Sequence, residues 1–311
     1  MKVVFMGTPD FAAGALEAII QAGHEVTAVV TQPDKPKGRS GQMQFPPVKE
    51  CAVKYGIPVF QPVKIKEPEA VEKLRQFEAD IFVVAAFGQI VSKEILDMPR
   101  FGCVNIHASL LPKYRGAAPI QWAIINGEQE TGVTIQQMNE GIDTGDILTK
   151  VVVPIDRKET AESLFDKLEE AGAHLIVETL TKLEKGEITP TPQDDSQSSY
   201  VKMIKKSFGR IDWSMDAVSI ERLVRGLNSW PSAYTFFGGK SLKLWNCDVL
   251  EESCRETPGT IVRVNRDSID VATGKGVLRI LELQLEGKKR MDTRSFLLGN
   301  AWKAGMLLGE A

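Results

Sequence analysis

Seven residues, Asp80-Ile81-Phe82-Val83-Val84-Ala85-Ala86, set the tightest limit on what this chain can fold into. The run is apolar without alternation and far shorter than the roughly 20 residues of a membrane span. That is the pattern of a strand buried on both faces, which parallel sheets covered by helices provide. The neighbouring segments agree. Residues 2–6 and 26–31 read as strands around a helix, in which Phe11, Leu16, Ile19 and Ile20 fall near helical spacing and Gly23 is the C-cap. Residues 48–55 and 68–77 read as helices about a short strand at 56–60. Cys103, Val104 and Ile106, bounded by Gly102, make a further strand. The expectation is an α/β fold with a Rossmann-like, mostly parallel sheet. Gly7 stands without the partner glycines of GxGxxG, so close approach of a pyrophosphate is not encoded and no NAD is expected.

Strand residues two apart share a face, so Asn105 and His107 project to the same side. They sit at the end of a buried strand, where open α/β sheets keep their ligands. The strand opens into Ser109-Leu110-Leu111-Pro112, and the loop Phe87-Gly88-Gln89-Ile90-Val91 after the 80–86 strand should reach the same side. Residues 131–138 and 147–153 read as two more strands, joined by Asn139-Glu140-Gly141-Ile142-Asp143-Thr144-Gly145-Asp146. One acid of that loop, Asp143 or Asp146, would orient His107 and pair with its charge. An Asn amide can donate to an oxyanion as it forms. Asn, His and Asp without an activated nucleophile suit acyl transfer between two bound substrates. Ser109 has no GxSxG around it. Spacing for a metal site is missing, so no metal is expected.

A helix over 160–185 closes the first part. Residues 189–207 are polar, with Pro190 and Pro192, and read as a linker between a catalytic domain at 1–188 and a second domain at 208–311. In that second part a helix at 217–227 precedes five short strands broken by glycine, which predicts a small OB-like barrel. Charge divides along the same line. Residues 1–204 hold 21 Lys and Arg against 28 Asp and Glu, and residues 205–311 hold 17 against 13, although the whole chain is only −3. A basic second part suits an anionic partner. The candidate contacts there are Lys205, Lys206, Arg210, Lys288, Lys289 and Arg290, joined by Lys35, Lys37 and Arg39 of the Pro/Gly-rich loop at 32–41. The four cysteines show no CxxC, and the start lacks a signal-peptide layout; reduced thiols in a cytoplasmic protein are expected.

Two segments carry a family resemblance. Asn105-Ile106-His107-Ala108-Ser109-Leu110-Leu111-Pro112 with Gly116, and Gly132-Val133-Thr134-Ile135-Gln136-Gln137-Met138-Asn139-Glu140-Gly141-Ile142-Asp143-Thr144-Gly145, resemble the formyltransferases that use 10-formyltetrahydrofolate. The resemblance implies that Asn105, His107 and Asp143 are the catalytic group. It also implies that the folate co-substrate lies along Phe87–Val91, Ser109–Pro112 and Gly141–Asp143. The resemblance extends into the C-terminal barrel, which shorter family members lack, and it implies that this barrel and the basic loop at Lys35–Arg39 contact initiator methionyl-tRNA as partner. The expected form is a monomer without membrane attachment.

Overall fold

Apolar strands must be hidden on both sides, and two compact units do this separately. The computed structural model describes residues 1–37 and 42–310. The first unit comprises Met1–Pro119, Glu130–Pro154 and Phe165–Val201; the second takes Ile120–Gln129, Ile155–Leu164 and the chain from Lys202 onward.

In chain order, β1 (Lys2–Gly7), α1 (Asp10–Gln21) and β2 (Glu25–Val30) form a parallel βαβ unit. Then β3 (Lys35–Lys37) and β4 (Gln42–Gln44) pair antiparallel, where the sequence reads as an irregular loop. A two-stranded ribbon has only edges, so the missing N–H of Pro36 costs no ladder bond on its outer side. After α2 (Pro47–Lys54), β5 (Val59–Phe60) and α3 (Pro68–Arg75) come β6 (Ile81–Ala85), a short α4 (Lys93–Leu96) and β7 (Cys103–His107). A two-residue β8 (Arg115–Gly116) and α5 (Pro119–Ile125) follow, then β9 (Glu130–Gln137), β10 (Ile147–Pro154), the long α6 (Ala161–Glu184) and β11 (Tyr200–Val201), which pairs with β8.

The main sheet runs β10-β9-β7-β6-β1-β2-β5. Its β1, β2, β5, β6 and β7 are parallel, β9 runs antiparallel to β7, and the edge strand β10 runs antiparallel to β9. All five residues of β6 are buried, as the unbroken apolar run requires. Val4, Met6, Phe82, Val84 and Cys103 face one core together with Leu74 and Ile95 from the helices. On the other face Phe11 of α1 meets Phe165 of α6 edge-on at 5.8 Å. There α6 comes so close that a Cβ on Gly172 would lie 3.3 Å from Ile106. Ile106 thus belongs to the side covered by α6, and alternation sends Asn105 and His107 to the other side, which they share with Cys103. The strand order reverses between β1 and β6, which places the crevice for ligands at their C-terminal ends.

In the second unit, α7 (Ala217–Gly226) precedes β12 (Ala233–Phe237), β13 (Lys240–Leu250), β14 (Ile261–Val264), β15 (Ile269–Ala272) and β16 (Val277–Leu285). They pair antiparallel in the order β12-β13-β16-β15-β14, with β17 (Met291–Asp292) added to β16 and α8 (Thr293–Leu298) after it. This is the antiparallel OB-like domain expected from the glycine-broken strands. Asp216 and Asp292 cap the two helices, accepting from the backbone N–H of Ser219 at 2.9 Å and Ser295 at 2.8 Å.

Asp270 is the one carboxylate fully buried in this sheet among the described residues. Arg279 grips it with two bonds at 2.8 and 2.9 Å, and Arg263 adds a third at 3.0 Å. Burial works to raise its pKa, but the hydrogen bonds from Arg279, Arg263 and Asn265 outweigh it, and the net shift is downward. A lowered folded pKa contributes stability that is complete above the unfolded value of about 3.9 and is lost as pH falls through the folded value. Asp270→Asn is expected to destabilise the protein by about 2–3 kcal/mol in urea unfolding at pH 7. The gap between variant and wild type should narrow below about pH 4; a gap independent of pH would overturn the assignment.

Candidate active site

At the end of β7 the pairing register puts Asn105 opposite Gln136 and His107 opposite Thr134 of β9. The loop between β9 and β10 then folds back and delivers Asp143. Its carboxylate accepts from three donors: Gly116 N at 2.8 Å, Gln136 Nε2 at 2.8 Å and Asn105 Nδ2 at 3.3 Å. The imidazole of His107 stands beside it, Nδ1 lying 3.6 Å from Asp143 Oδ1. At the other side of the ring, Nε2 lies 2.9 Å from the carbonyl of Tyr114. A carbonyl can only accept, so Nε2 carries a proton and Nδ1 is the nitrogen that faces Asp143.

Backbone conformation around these groups is strained. Ala86, Tyr114, Ala118 and Asp143 all adopt left-handed φ between 44° and 59°. Each such residue costs about 1–3 kcal/mol and persists where its surroundings over-determine it. A hydrogen bond to a carboxylate is worth about 1.5–3 kcal/mol, so the three donors on Asp143 outweigh its strain. The loop can turn this tightly because position 145 is glycine; a Cβ there would collide with the Gln137 carbonyl.

The remaining expected site residues fall into two groups. Phe87 is buried, and its carbonyl collects Thr8 Oγ1 at 3.3 Å and Gln32 Nε2 at 3.1 Å, which ties the loops after β1, β2 and β6 together. Gly88 takes φ +78°, and Gln89 accepts from Ile65 N at 2.6 Å while donating to Pro62 O at 3.0 Å. Val91 is core, but Ile90 is 83 % exposed. Ser109 is fully buried, its hydroxyl donating to Lys113 O at 2.7 Å, and Leu111 N donates to Thr134 Oγ1 at 3.1 Å; both stabilise the turn. Leu110 and Pro112 are half-buried, Gly141 is exposed and Ile142 is 66 % exposed. Asp146 enters only through its carbonyl, which accepts from Gln137 N at 2.8 Å. Cys103, two residues before Asn105, is inert packing: burial pushes its thiol up to about 12.

The residue composition alone does not reveal two partners. Gln136 is 2 % exposed and holds Asp143, and its Oε1 has no hydrogen-bond partner. A polar residue between Ile135 and Gln137 on a buried strand was the available signal. Gln193 donates to the carbonyls of Asp143 at 2.9 Å and Gly145 at 2.6 Å, from a stretch whose composition suggests only a linker. Among the described residues no cluster of three or more His, Cys, Asp or Glu is placed to hold a metal ion.

Residues 1–180 match the formyl transferase family, and residues 203–301 match the C-terminal domain of formyl transferases. A methionyl-tRNA formyltransferase of Agathobacter rectalis is 59% identical over 96% of both chains. One from Lachnospira eligens is 56% identical over the full length of both. The chain belongs to the methionyl-tRNA formyltransferase family. The fold is also that of an N-formyltransferase from Helicobacter canadensis, solved with folinic acid and dTDP-3-aminofucose. At 20% identity it superposes with a TM-score of 0.69, covering 94% of this chain and all of the other.

Among the basic candidates, Lys35 is exposed on β3, Lys37 lies on the same strand, and Arg39 falls outside the described residues. Lys205 and Lys206 are exposed, and the exposed Arg210 stacks its guanidinium over Phe236 at 5.4 Å. Lys288 and Lys289 are exposed beyond β16. Arg290 is committed elsewhere: it makes two bonds to Glu282 at 2.6 and 2.8 Å and covers Trp245 at 4.5 Å. No described helix is long and apolar enough to cross a membrane.

Gly116 couples this site to its support, since its N–H holds Asp143 and its φ is +97°. A Cβ there would sit 2.6 Å from the Val201 carbonyl. Gly116→Ala is expected to cost about 2–3 kcal/mol of stability and to lower activity with it. Thermal melting and turnover measured together check this; an unchanged melting temperature would be inconsistent with the geometry.

Proposed function

We propose that the protein transfers the formyl group of 10-formyltetrahydrofolate to the amino group of methionine on initiator methionyl-tRNA. The observation that carries this reading is the contact of Asn105, His107 and Asp143 at the end of β7, in a chain 59% identical to a methionyl-tRNA formyltransferase. The methionine amine attacks the formyl carbon, a carbon–nitrogen bond forms, and the formyl oxygen takes up negative charge. Asn105 spends one N–H on Asp143 and has a second to offer that oxygen. His107 has its Nδ1 proton to offer, because its Nε2 proton is engaged by Tyr114. At 3.6 Å from Asp143, Nδ1 makes no hydrogen bond that the oxyanion must displace. Asp143 pairs with the imidazolium and takes the proton the amine releases, directly or through water. Collapse then breaks the bond to the folate N10, which leaves with the proton that Asp143 had taken from the amine, returned directly or through water.

The folate lies along Phe87–Val91, Ser109–Pro112 and Gly141–Asp143. Main-chain groups and the solvent-exposed Ile90 and Ile142 suit a flat, largely uncharged ring system. The tRNA phosphates meet Lys35, Lys37 and Arg39 from the first unit, and Lys205, Lys206, Arg210, Lys288 and Lys289 from the second. Arg290, already neutralised by Glu282, serves there as a structural ring-stacking group. The protein acts as a monomer in the cytoplasm, with a catalytic domain at 1–188, a linker at 189–207 and a tRNA-binding domain at 208–311.

The direct test supplies 10-formyltetrahydrofolate and charged initiator tRNA and looks for formyl-methionine on the tRNA. Folded protein without turnover would overturn the reaction, and transfer to an amino-sugar nucleotide instead would overturn the acceptor. His107→Ala and Asp143→Asn are each expected to lower kcat by about 10²–10³. Their tRNA Kd should stay within about twofold, because neither side chain is assigned to a phosphate. Binding of tRNA should weaken steeply between about 50 and 200 mM salt, because the gain from releasing condensed counterions shrinks as salt rises. A flat salt response would remove the phosphate contacts from the account.

A further inference from the structure

Asp143 is held at its carboxylate by three donors, and it is also held from behind. Gln193 donates from one amide nitrogen to the carbonyls of Asp143 and Gly145, at 2.9 and 2.6 Å. These two carbonyls bracket the tight turn in which Asp143 takes φ +53°. The amide cannot be reversed. Its Oε1 accepts from Nε and Nη2 of Arg115 at 3.0 and 2.9 Å, and a guanidinium has only donors. Arg115 is itself 2 % exposed, fixed by Asp195 at 2.7 Å and the Tyr200 hydroxyl at 3.1 Å. It is also the residue before Gly116, whose N–H holds the Asp143 carboxylate. One buried arginine thus anchors both ends of Asp143, the carboxylate through its own neighbour and the backbone through Gln193.

We propose that Gln193 is a positioning residue for Asp143, its amide oriented by Arg115. The proposal rests on Asp143 being catalytic, as argued above. Gln193 touches no reacting group. Its effect is to keep a left-handed turn, which the chain would otherwise relax, in the one arrangement that sets the carboxylate against His107. A displacement of about 1 Å in such a group can cost on the order of 10²-fold in rate.

Two substitutions separate this role from simple loop-tying. Gln193→Glu keeps an acceptor for Arg115 and turns the donor into a second oxygen facing two carbonyls. Gln193→Met keeps the length and removes both functions without adding charge. Each is expected to lower kcat about 10- to 100-fold with KM for folate and tRNA within about threefold, because the loss falls on the transition state rather than on binding. Placed in the Asp143→Asn background, either change should alter the residual rate by less than about twofold, since Gln193 acts through the group already removed. If Asp143→Asn is inactive while both Gln193 variants turn over within about twofold of wild type, the positioning role is overturned alone. An additive loss in the double variants overturns it as well. Full activity of Asp143→Asn overturns the catalytic reading of Asp143 and the positioning role together.

Discussion

The carboxylate of Asp143 is the group on which the rest of the site depends. It sits in a strained left-handed turn between two antiparallel strands, and donors from three separate places meet it. Asn105 comes from β7, Gln136 from β9 and Gly116 from β8. Each is positioned by the sheet or by the short β8–β11 pairing, so the acid is located by the fold rather than by its own loop. The free energy of those bonds exceeds the cost of the turn, which is why an otherwise exposed Gly/Asp-rich loop holds one geometry.

The sheet in turn explains why β7 carries the chemistry. With β6 and β9 on either side, β7 is central and its Val104 and Ile106 are buried against helices. Alternation leaves Asn105 and His107 on the remaining face, at the end where the strand order reverses nearby. Because β9 runs antiparallel to β7 and ends beside Val104, the loop after it has to fold back along the sheet, and its contacts with Asn105 and Gln136 hold Asp143 there.

Charge and packing separate in the second unit. Its one fully buried acid among the described residues is neutralised by Arg279 and Arg263, and Arg290 by Glu282, so several of its basic residues serve the sheet. The excess that remains, on exposed lysines such as Lys205, Lys206, Lys288 and Lys289, is what faces solvent. A count of net charge does not distinguish these two uses; only the pairing does.

Much of the fold was legible in the sequence, because burial on both faces and the 2.0 and 3.6 residue periods leave few alternatives. The β6 run, the long α6 and the five glycine-broken strands fall within a few residues of where the structure has them. Asn105 and His107 were legible as a pair on one face, and the choice between Asp143 and Asp146 came from the family resemblance. The ribbon of β3 and β4, Gln136 as a carboxylate donor and Gln193 behind the turn were not legible. Gln193 lies 50 residues from Asp143 in a polar, proline-containing stretch, and nothing local marks it. Sequence periodicity determines which face of an element is buried, since that follows from local geometry. Which distant polar groups then satisfy one another is decided by tertiary structure, because a hydrogen bond depends on atoms meeting within about 3 Å and not on their separation along the chain.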